Sequence, residues 1–148
     1  MQATTAKAPA HLWVIGILSL LWNCFGAYDY IMSRMHNDAY LKSMMPDSDP
    51  AAIWAFMDQM PLYASFGWGL GVWASLLGSL LLLIRSRFAV HAFAASMVGV
   101  LLSFGYQLFV ATDKPAGMDS PVMAVVIFVI VAIQLYYAMT MRTRGVLR

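Results

Sequence analysis

Four hydrophobic segments of about 20 residues each constrain this chain more than any other feature of its sequence. They cover residues 12–32, 62–84, 88–111 and 121–141, and Asp29 is the only Asp, Glu, Lys or Arg in any of them. Because an α-helix rises about 1.5 Å per residue, each segment is long enough to cross the hydrocarbon core of a bilayer. The segments are continuous rather than alternating, so we predict an all-α, integral-membrane four-helix bundle and not a barrel.

Composition and cysteine usage also favour a membrane protein over a water-soluble domain. Of the 148 residues, 61% are hydrophobic and 11% are charged, whereas a soluble domain carries about 25% charged residues. The single cysteine, Cys24, excludes an internal disulfide. We predict one four-span membrane domain over residues 12–141, preceded by a mobile cytoplasmic tail at 1–11 and followed by a basic cytoplasmic tail at 142–148.

The distribution of basic residues predicts the orientation of the spans. Six of them fall in the N-terminus, the loop between the second and third spans, and the C-terminus: Lys7, Arg85, Arg87, Arg142, Arg144 and Arg148. Three fall on the other side: Arg34, Lys42 and Lys114. Since loops that remain in the cytoplasm carry the excess of Lys and Arg, we predict that both termini are cytoplasmic.

The first outer loop, residues 33–61, is the only long connection, and part of it has a helical pattern. Asp49 is a favourable N-cap and Pro50 suits the first helical position. One face of this short helix is apolar: Ile53, Phe56, Met57 and Met60, with Trp54 beside them. We predict an interfacial helix that either lies flat on the outer surface or caps the bundle.

Small residues at four-residue steps indicate how the spans pack. The second span carries Gly67, Gly71, Ser75 and Ser79, and the third carries Ala95, Gly99 and Ser103. Lipid tails are as apolar as leucine, so helices associate where small side chains let their backbones approach. A tight hairpin joins these two spans, which favours stripes that face each other. The alternative is that one stripe forms a homo-oligomer contact.

Polar side chains occur at two depths within the spans. Asn23 and Gln134 lie where they could meet near the middle, and Asp29 and Gln107 lie near the outer boundary. One hypothesis is an outward-facing pocket for a polar solute, with these candidate binding residues: Asn23, Asp29, Tyr30, Tyr106 and Gln107. The alternative, which the position of Asp29 near the boundary favours, is that the amides join helices and the tyrosines form an interfacial belt.

Metal binding and catalysis find little support in the sequence. Thioether and imidazole groups that suit Cu(I) occur together on the outer side: Met32, Met35, His36, Met44 and Met45. Methionine is also an ordinary filler of apolar surfaces, and no cysteine pair accompanies these residues. The chain has no evident nucleophile–base set, phosphate loop or metalloprotease histidine pair. We therefore predict no enzyme activity, metal or cofactor, and basic residues that suit lipid headgroups rather than nucleic acid.

Three stretches resemble a family of small four-span bacterial inner-membrane proteins whose members are often labelled sugar transporters. They are LLWNCFGAYDYIMS, WGLGVWASLLGSLLLLIRSRFAV and the terminal RTRGVLR, and the resemblance covers most of the chain from about residue 12. The residues that carry it are Trp22, Asn23, Gly26, Asp29, Tyr30, Gly71, Trp73, Gly78 and Arg85. The resemblance implies the four-span topology, a bacterial inner-membrane location and a transport role, and it assigns no functional residues.

Two classes of function follow as expectations. The first is binding or transport of a small, sugar-like solute by a homo-oligomer, because known carriers commonly pair repeats about a central site and this chain has no internal repeat. The second is a non-catalytic accessory subunit of a larger membrane complex. In either case the bilayer surrounds the chain, and its partner is a second copy or another membrane protein.

Overall fold

The computed structural model describes residues 7–148, which form helices joined by loops, with no strand among them. The helices are α1 (Ala10–Arg34), α2 (Asp38–Met44), α3 (Pro50–Asp58), α4 (Leu62–Leu83), α5 (Ala89–Gly105) and α6 (Val122–Thr143). A π-helical segment, Tyr106–Val110, continues α5 without a break.

Within residues 7–148, four helices are long and apolar enough to cross a membrane: α1, α4, α5 with its π-helical segment, and α6. This confirms the predicted all-α bundle, and every predicted span boundary lies within two residues of the observed one. The first span begins at Ala10, so residues 10 and 11 of the predicted tail are helical. The first six residues of that tail lie outside the described residues, and the cytoplasmic location of the termini stays a prediction.

Proline residues mark where three of the spans begin. Pro9, Pro61 and Pro121 each stand immediately before the first helical residue, with φ of −71°, −61° and −76°. The proline ring holds φ near these values and removes an N–H group that has no partner at a helix start. Each span therefore begins cleanly, although none of these positions has a side-chain cap.

The tightest contact in the bundle joins α4 to α5 through glycines. A methyl group added to Gly99 would stand 2.5 Å from the carbonyl oxygen of Gly67 and would also collide with the backbone nitrogen of Gly71. Ser96 strengthens the contact, because its hydroxyl donates a 2.7 Å hydrogen bond to the carbonyl of Gly71. The two small-residue stripes thus face each other as predicted, although Ser96 is fully buried and Ala95 is only half-buried.

α1 attaches to α4 through a buried amide. The Asn23 Nδ2 group donates to the Ser75 carbonyl at 3.0 Å and to the Ser79 hydroxyl at 2.7 Å. No hydrogen bond joins Asn23 to Gln134, whose Oε1 atom is buried without a partner among the described residues. Asn23 therefore pairs with the serines of the α4 stripe and not with the amide of α6.

The end of the bundle that carries the 84–88 turn and the C-terminus, here called the terminal end, is closed. His11 of α1 and the Tyr137 hydroxyl of α6 lie 2.6 Å apart. The last residues fold back onto the turn: Arg148 accepts a hydrogen bond from the Arg87 N–H and donates one to the Arg85 carbonyl, at 3.0 and 2.8 Å. Residues 146 and 147 are buried in the core at this end, so the predicted basic tail is docked there.

We expect Gly99→Ala to lower the free energy of unfolding by about 1–3 kcal/mol, because the added methyl group forces two backbones apart. Gly105→Ala is the matched control. Gly105 lies on the same helix as Gly99, but a methyl group added there meets nothing within 4 Å. Circular dichroism during unfolding in detergent would measure both. Equal stability of the two variants would contradict a close α4–α5 contact in solution.

Candidate functional site

The four spans line a partly open cavity of about 490 Å³ at the opposite end of the bundle, here called the cap end. Each span contributes lining residues at helical spacing, among them Gly26, Asp29 and Ser33 of α1, Trp68 and Ser75 of α4, Ser103 and Gln107 of α5, and Ile127 and Val131 of α6. This volume is within the range of about 300–1,000 Å³ that is usual for small-molecule sites. The cavity is therefore large enough for a compact organic ligand.

The first outer loop forms the cap over this cavity. Leu41 of α2 and Ile53 and Trp54 of α3 make a small buried cluster, against which Met118 of the α5–α6 loop also packs. All four residues line the cavity. Of the two placements predicted for the α3 helix, the structure has the one in which it caps the bundle.

Local hydrogen bonds explain why the cap is helical. The Asn37 side chain accepts from the Tyr40 N–H at 2.9 Å and begins α2, and the Asp49 side chain accepts from the Ala51 N–H at 3.0 Å and begins α3 as predicted. The Trp54 ring N–H donates to Asp38 at 2.7 Å and joins the two helices. The sequence prediction missed α2, although asparagine is a common N-cap residue.

A hydrogen bond connects the cap to α1 at the mouth of the cavity. The Tyr40 hydroxyl donates to the Asp29 carboxylate at 2.7 Å, and the Tyr40 ring packs edge-on against Tyr28. Burial and the adjacent carboxylate raise the pKa of Tyr40 above its usual range. The hydroxyl consequently stays protonated at neutral pH and remains a donor to Asp29.

The turn between α1 and α2 is attached to α3 through His36. This residue has a φ of 50°, its ring stacks on Trp54 with centroids 5.1 Å apart, and its Nε2 lies 3.2 Å from Asp58. Among residues 7–148, no three His, Cys, Asp or Glu side chains come together where they could hold a metal ion. The contacts of His36 are thus those of a side chain that positions the cap.

Ser103 carries the least satisfied polar group in the cavity wall. Its side chain is 1% exposed, and its hydroxyl has no hydrogen-bond partner among the described residues. A buried polar atom without a partner costs about 1–3 kcal/mol. Ser103 is also one of the residues that line the cavity.

Three of the five candidate binding residues line the cavity: Asn23, Asp29 and Gln107. Asn23 and Asp29 are six residues apart on α1, which separates them by about 9 Å in depth. The other two candidates contact aromatic rings and are not part of the lining. Tyr30 packs edge-on against Trp68 at 4.6 Å, and Tyr106 stacks on Phe56 at 6.5 Å.

The sequence prediction did not select several of the polar lining residues, among them Ser103 and Tyr40. Ser103 was assigned to helix packing, because a serine in a small-residue stripe has the same spacing whether it packs or faces a void. Tyr40 lies outside the spans, in α2, and the fold of the cap brings its hydroxyl to Asp29. Comparison with protein-family models, with curated proteins and with solved structures finds no match to this chain.

We expect Tyr40→Phe to loosen the cap without unfolding the spans. A hydrogen bond to a carboxylate contributes about 1.5 kcal/mol or more, so amide exchange across residues 38–58 should speed up by about tenfold. Hydrogen–deuterium exchange followed by mass spectrometry measures this directly. Tyr63→Phe is the control, since no hydrogen bond of that hydroxyl is seen among the described residues, and equal exchange in both variants would argue against the Tyr40–Asp29 connection.

We expect Ser103→Ala to leave the free energy of unfolding unchanged or to raise it by up to about 1 kcal/mol, because it removes a hydroxyl that has no partner. Ser96→Ala, on the same helix, should instead lower the free energy of unfolding by about 1 kcal/mol through loss of the bond to Gly71. Thermal unfolding in detergent distinguishes the two. A Ser103→Ala variant as destabilised as Ser96→Ala would show that the Ser103 hydroxyl has a structural partner.

Proposed function

We propose that this protein binds a small solute in the cavity beneath the cap and serves solute transport in a bacterial inner membrane. The observation that carries the proposal is the unpartnered, buried hydroxyl of Ser103 in a preformed cavity. The Asn23 amide, the Gln107 amide and the Asp29 carboxylate lie in the same lining. Polar groups inside a membrane are costly, so a cluster of them around a void is best explained by a ligand.

The lining favours a solute that is apolar over most of its surface. Apart from a few polar side chains, the walls consist of tryptophan, phenylalanine, methionine and aliphatic residues. A sugar-like solute, which the family resemblance implies, would present a hydroxyl group on nearly every carbon and would need a partner for each. Stacking on the aromatic rings suits one face of a sugar, but the apolar walls suit a less hydroxylated molecule better.

The proposed location follows from charge and resemblance together. The excess of Lys and Arg at the terminal end supports a cytoplasmic location for that end, which would place the cap on the outer side. The resemblance to small bacterial inner-membrane proteins supports a bacterial inner membrane as the location. In this arrangement the solute enters from the outside, past α2 and α3.

Binding and transport make different demands on assembly. One copy of the chain supplies all the residues that line the cavity, so a solute can bind to a monomer. Alternating access commonly uses two repeats that move about a central site, and this chain supplies no second repeat. We therefore propose a homo-oligomer as the transporting unit. The competing proposal is an accessory subunit of a larger complex, in which the cavity is a packing defect without a ligand.

Native mass spectrometry of protein extracted gently from its own membranes tests the proposal. The comparison uses the natural sequence, Gly26→Leu and Gly105→Leu. Gly26 lines the cavity, and an added Cβ atom there meets nothing within 4 Å, so we expect a leucine at this position to extend into the void. Gly105 has equal space around it but is not part of the lining. We expect a bound small mass in the natural protein and in Gly105→Leu, and its loss in Gly26→Leu.

The other outcomes of this native mass spectrometry experiment each contradict part of the proposal. A bound mass that survives in Gly26→Leu would place the ligand outside the cavity. A natural protein without any bound mass that extracts in a fixed ratio with other subunits would contradict solute binding and support the accessory role. A monomer that carries a bound mass would support binding and contradict the homo-oligomer.

A further inference from the structure

We propose that the solute is an organic cation, a substituted ammonium group on an aromatic or aliphatic body. This inference rests on the proposed function, that the cavity binds a solute, and it adds the class of that solute. It comes from the charge of the cavity, the aromatic content of its walls and the shortage of hydrogen-bonding groups in them.

The lining contains an acidic side chain but no basic one. Among the described residues that form the cavity wall, Asp29 is the only charged side chain, and no Lys, Arg or His contributes to it. The Asp29 carboxylate forms no ion pair within residues 7–148, and its hydrogen bond comes from the neutral Tyr40 hydroxyl. A carboxylate in a half-buried, apolar site is strongly stabilised by an adjacent cation. A positively charged solute would supply the missing counter-charge.

The aromatic walls favour a cation over a neutral molecule of the same shape. Trp22 and Phe25 approach from α1, Trp54 from the cap, Trp68 from α4 and Phe104 from α5. The negative faces of such rings attract ammonium groups, and the attraction is greater where the site is desolvated. An alkylated ammonium needs few hydrogen-bond partners, which suits the small number of polar groups in this cavity.

Methionine side chains make much of the rest of the wall flexible and apolar. Six of them line the cavity: Met44, Met45, Met57, Met60, Met118 and Met123. Because methionine is flexible and polarizable, it adapts to apolar bodies of different shapes. The methionine part of the wall is therefore suited to the hydrocarbon part of an amphiphilic cation.

One feature of the fold, the N-terminus of α6, favours an anion instead of a cation, but its effect is weaker. α6 begins at Val122, and the adjacent Ser120 and Met123 line the cavity, so a helix N-terminus lies near its mouth. A helix N-terminus is equivalent to about half a positive charge, and its effect falls off within the first turn. Asp29 lies in the same lining, and an anion would meet its carboxyl group with no basic side chain to offset a repulsion.

The test compares three probes that share a benzyl body and differ in charge. Benzyltrimethylammonium is the cation, neopentylbenzene is its uncharged isostere, and phenylmethanesulfonate is the anion. The full-length protein is placed in nanodiscs of zwitterionic lipid, so that the bilayer surface attracts no probe by charge. Tryptophan fluorescence reports binding, since Trp22, Trp54 and Trp68 line the cavity. Titrations are corrected for partition into protein-free nanodiscs.

We expect saturable binding of benzyltrimethylammonium with a Kd at least about tenfold lower than that of either other probe. Asp29→Asn should remove this preference while it keeps an acceptor for the Tyr40 hydroxyl. Asp47→Asn is the control: Asp47 is an exposed cap residue outside the lining, so the same change in net charge there should leave the preference intact. Circular dichroism verifies that each variant is folded.

The outcomes separate the two proposals. Equal binding of the three probes, or tightest binding of the anion or the neutral probe, would overturn the cation inference and leave solute binding supported. A preference for the cation that persists in Asp29→Asn would overturn the role given to Asp29. If none of the probes binds saturably and the extracted protein carries no bound mass, both the cation inference and the proposed function fail.

Discussion

The close approach of α4 and α5 at Gly67, Gly71 and Gly99 is the contact on which the rest of the structure depends. In a bilayer the hydrophobic effect does not bring helices together, so the stable core must come from backbone proximity and buried hydrogen bonds. The α4–α5 pair supplies both, and the other spans attach to it. α1 joins α4 through the Asn23 amide, and α6 packs on α5. The cavity lies where these four spans separate beneath the cap.

Polar residues within the spans fall into two groups with different physical roles. Asn23 and Ser96 donate hydrogen bonds to α4 backbone carbonyls and hold helices together. Asp29 and Ser103 belong to the cavity wall, the first as a carboxyl group without an ion-pair partner and the second as a hydroxyl without a hydrogen bond among the described residues. The proposed function and the cation inference rest on this second group. Asn23 belongs to both groups, since it also lines the cavity.

The candidate site was only partly predictable from the sequence. Asn23, Asp29 and Gln107 could be selected because isolated polar residues in apolar segments are conspicuous, and all three line the cavity. Depth along a helix can be counted from the sequence, but the direction in which a side chain points around the bundle cannot. For this reason Tyr30 and Tyr106, at a suitable depth, lie against other aromatic rings instead of the cavity.

The sequence by itself determined the number of spans, their ends within two residues, and the helix begun by Asp49, because each depends on local hydrophobicity or local capping. It also favoured a contact between the glycines of α4 and α5, since a tight hairpin places these two spans side by side, but it left a homo-oligomer contact open. Only the tertiary structure decided that the first outer loop covers a cavity, that residues 146–148 dock on the turn at Arg85, and that Ser103 is part of the cavity wall. Each of these depends on contacts between segments distant in sequence, and those contacts exist only once α1 and α6 have packed against the α4–α5 pair.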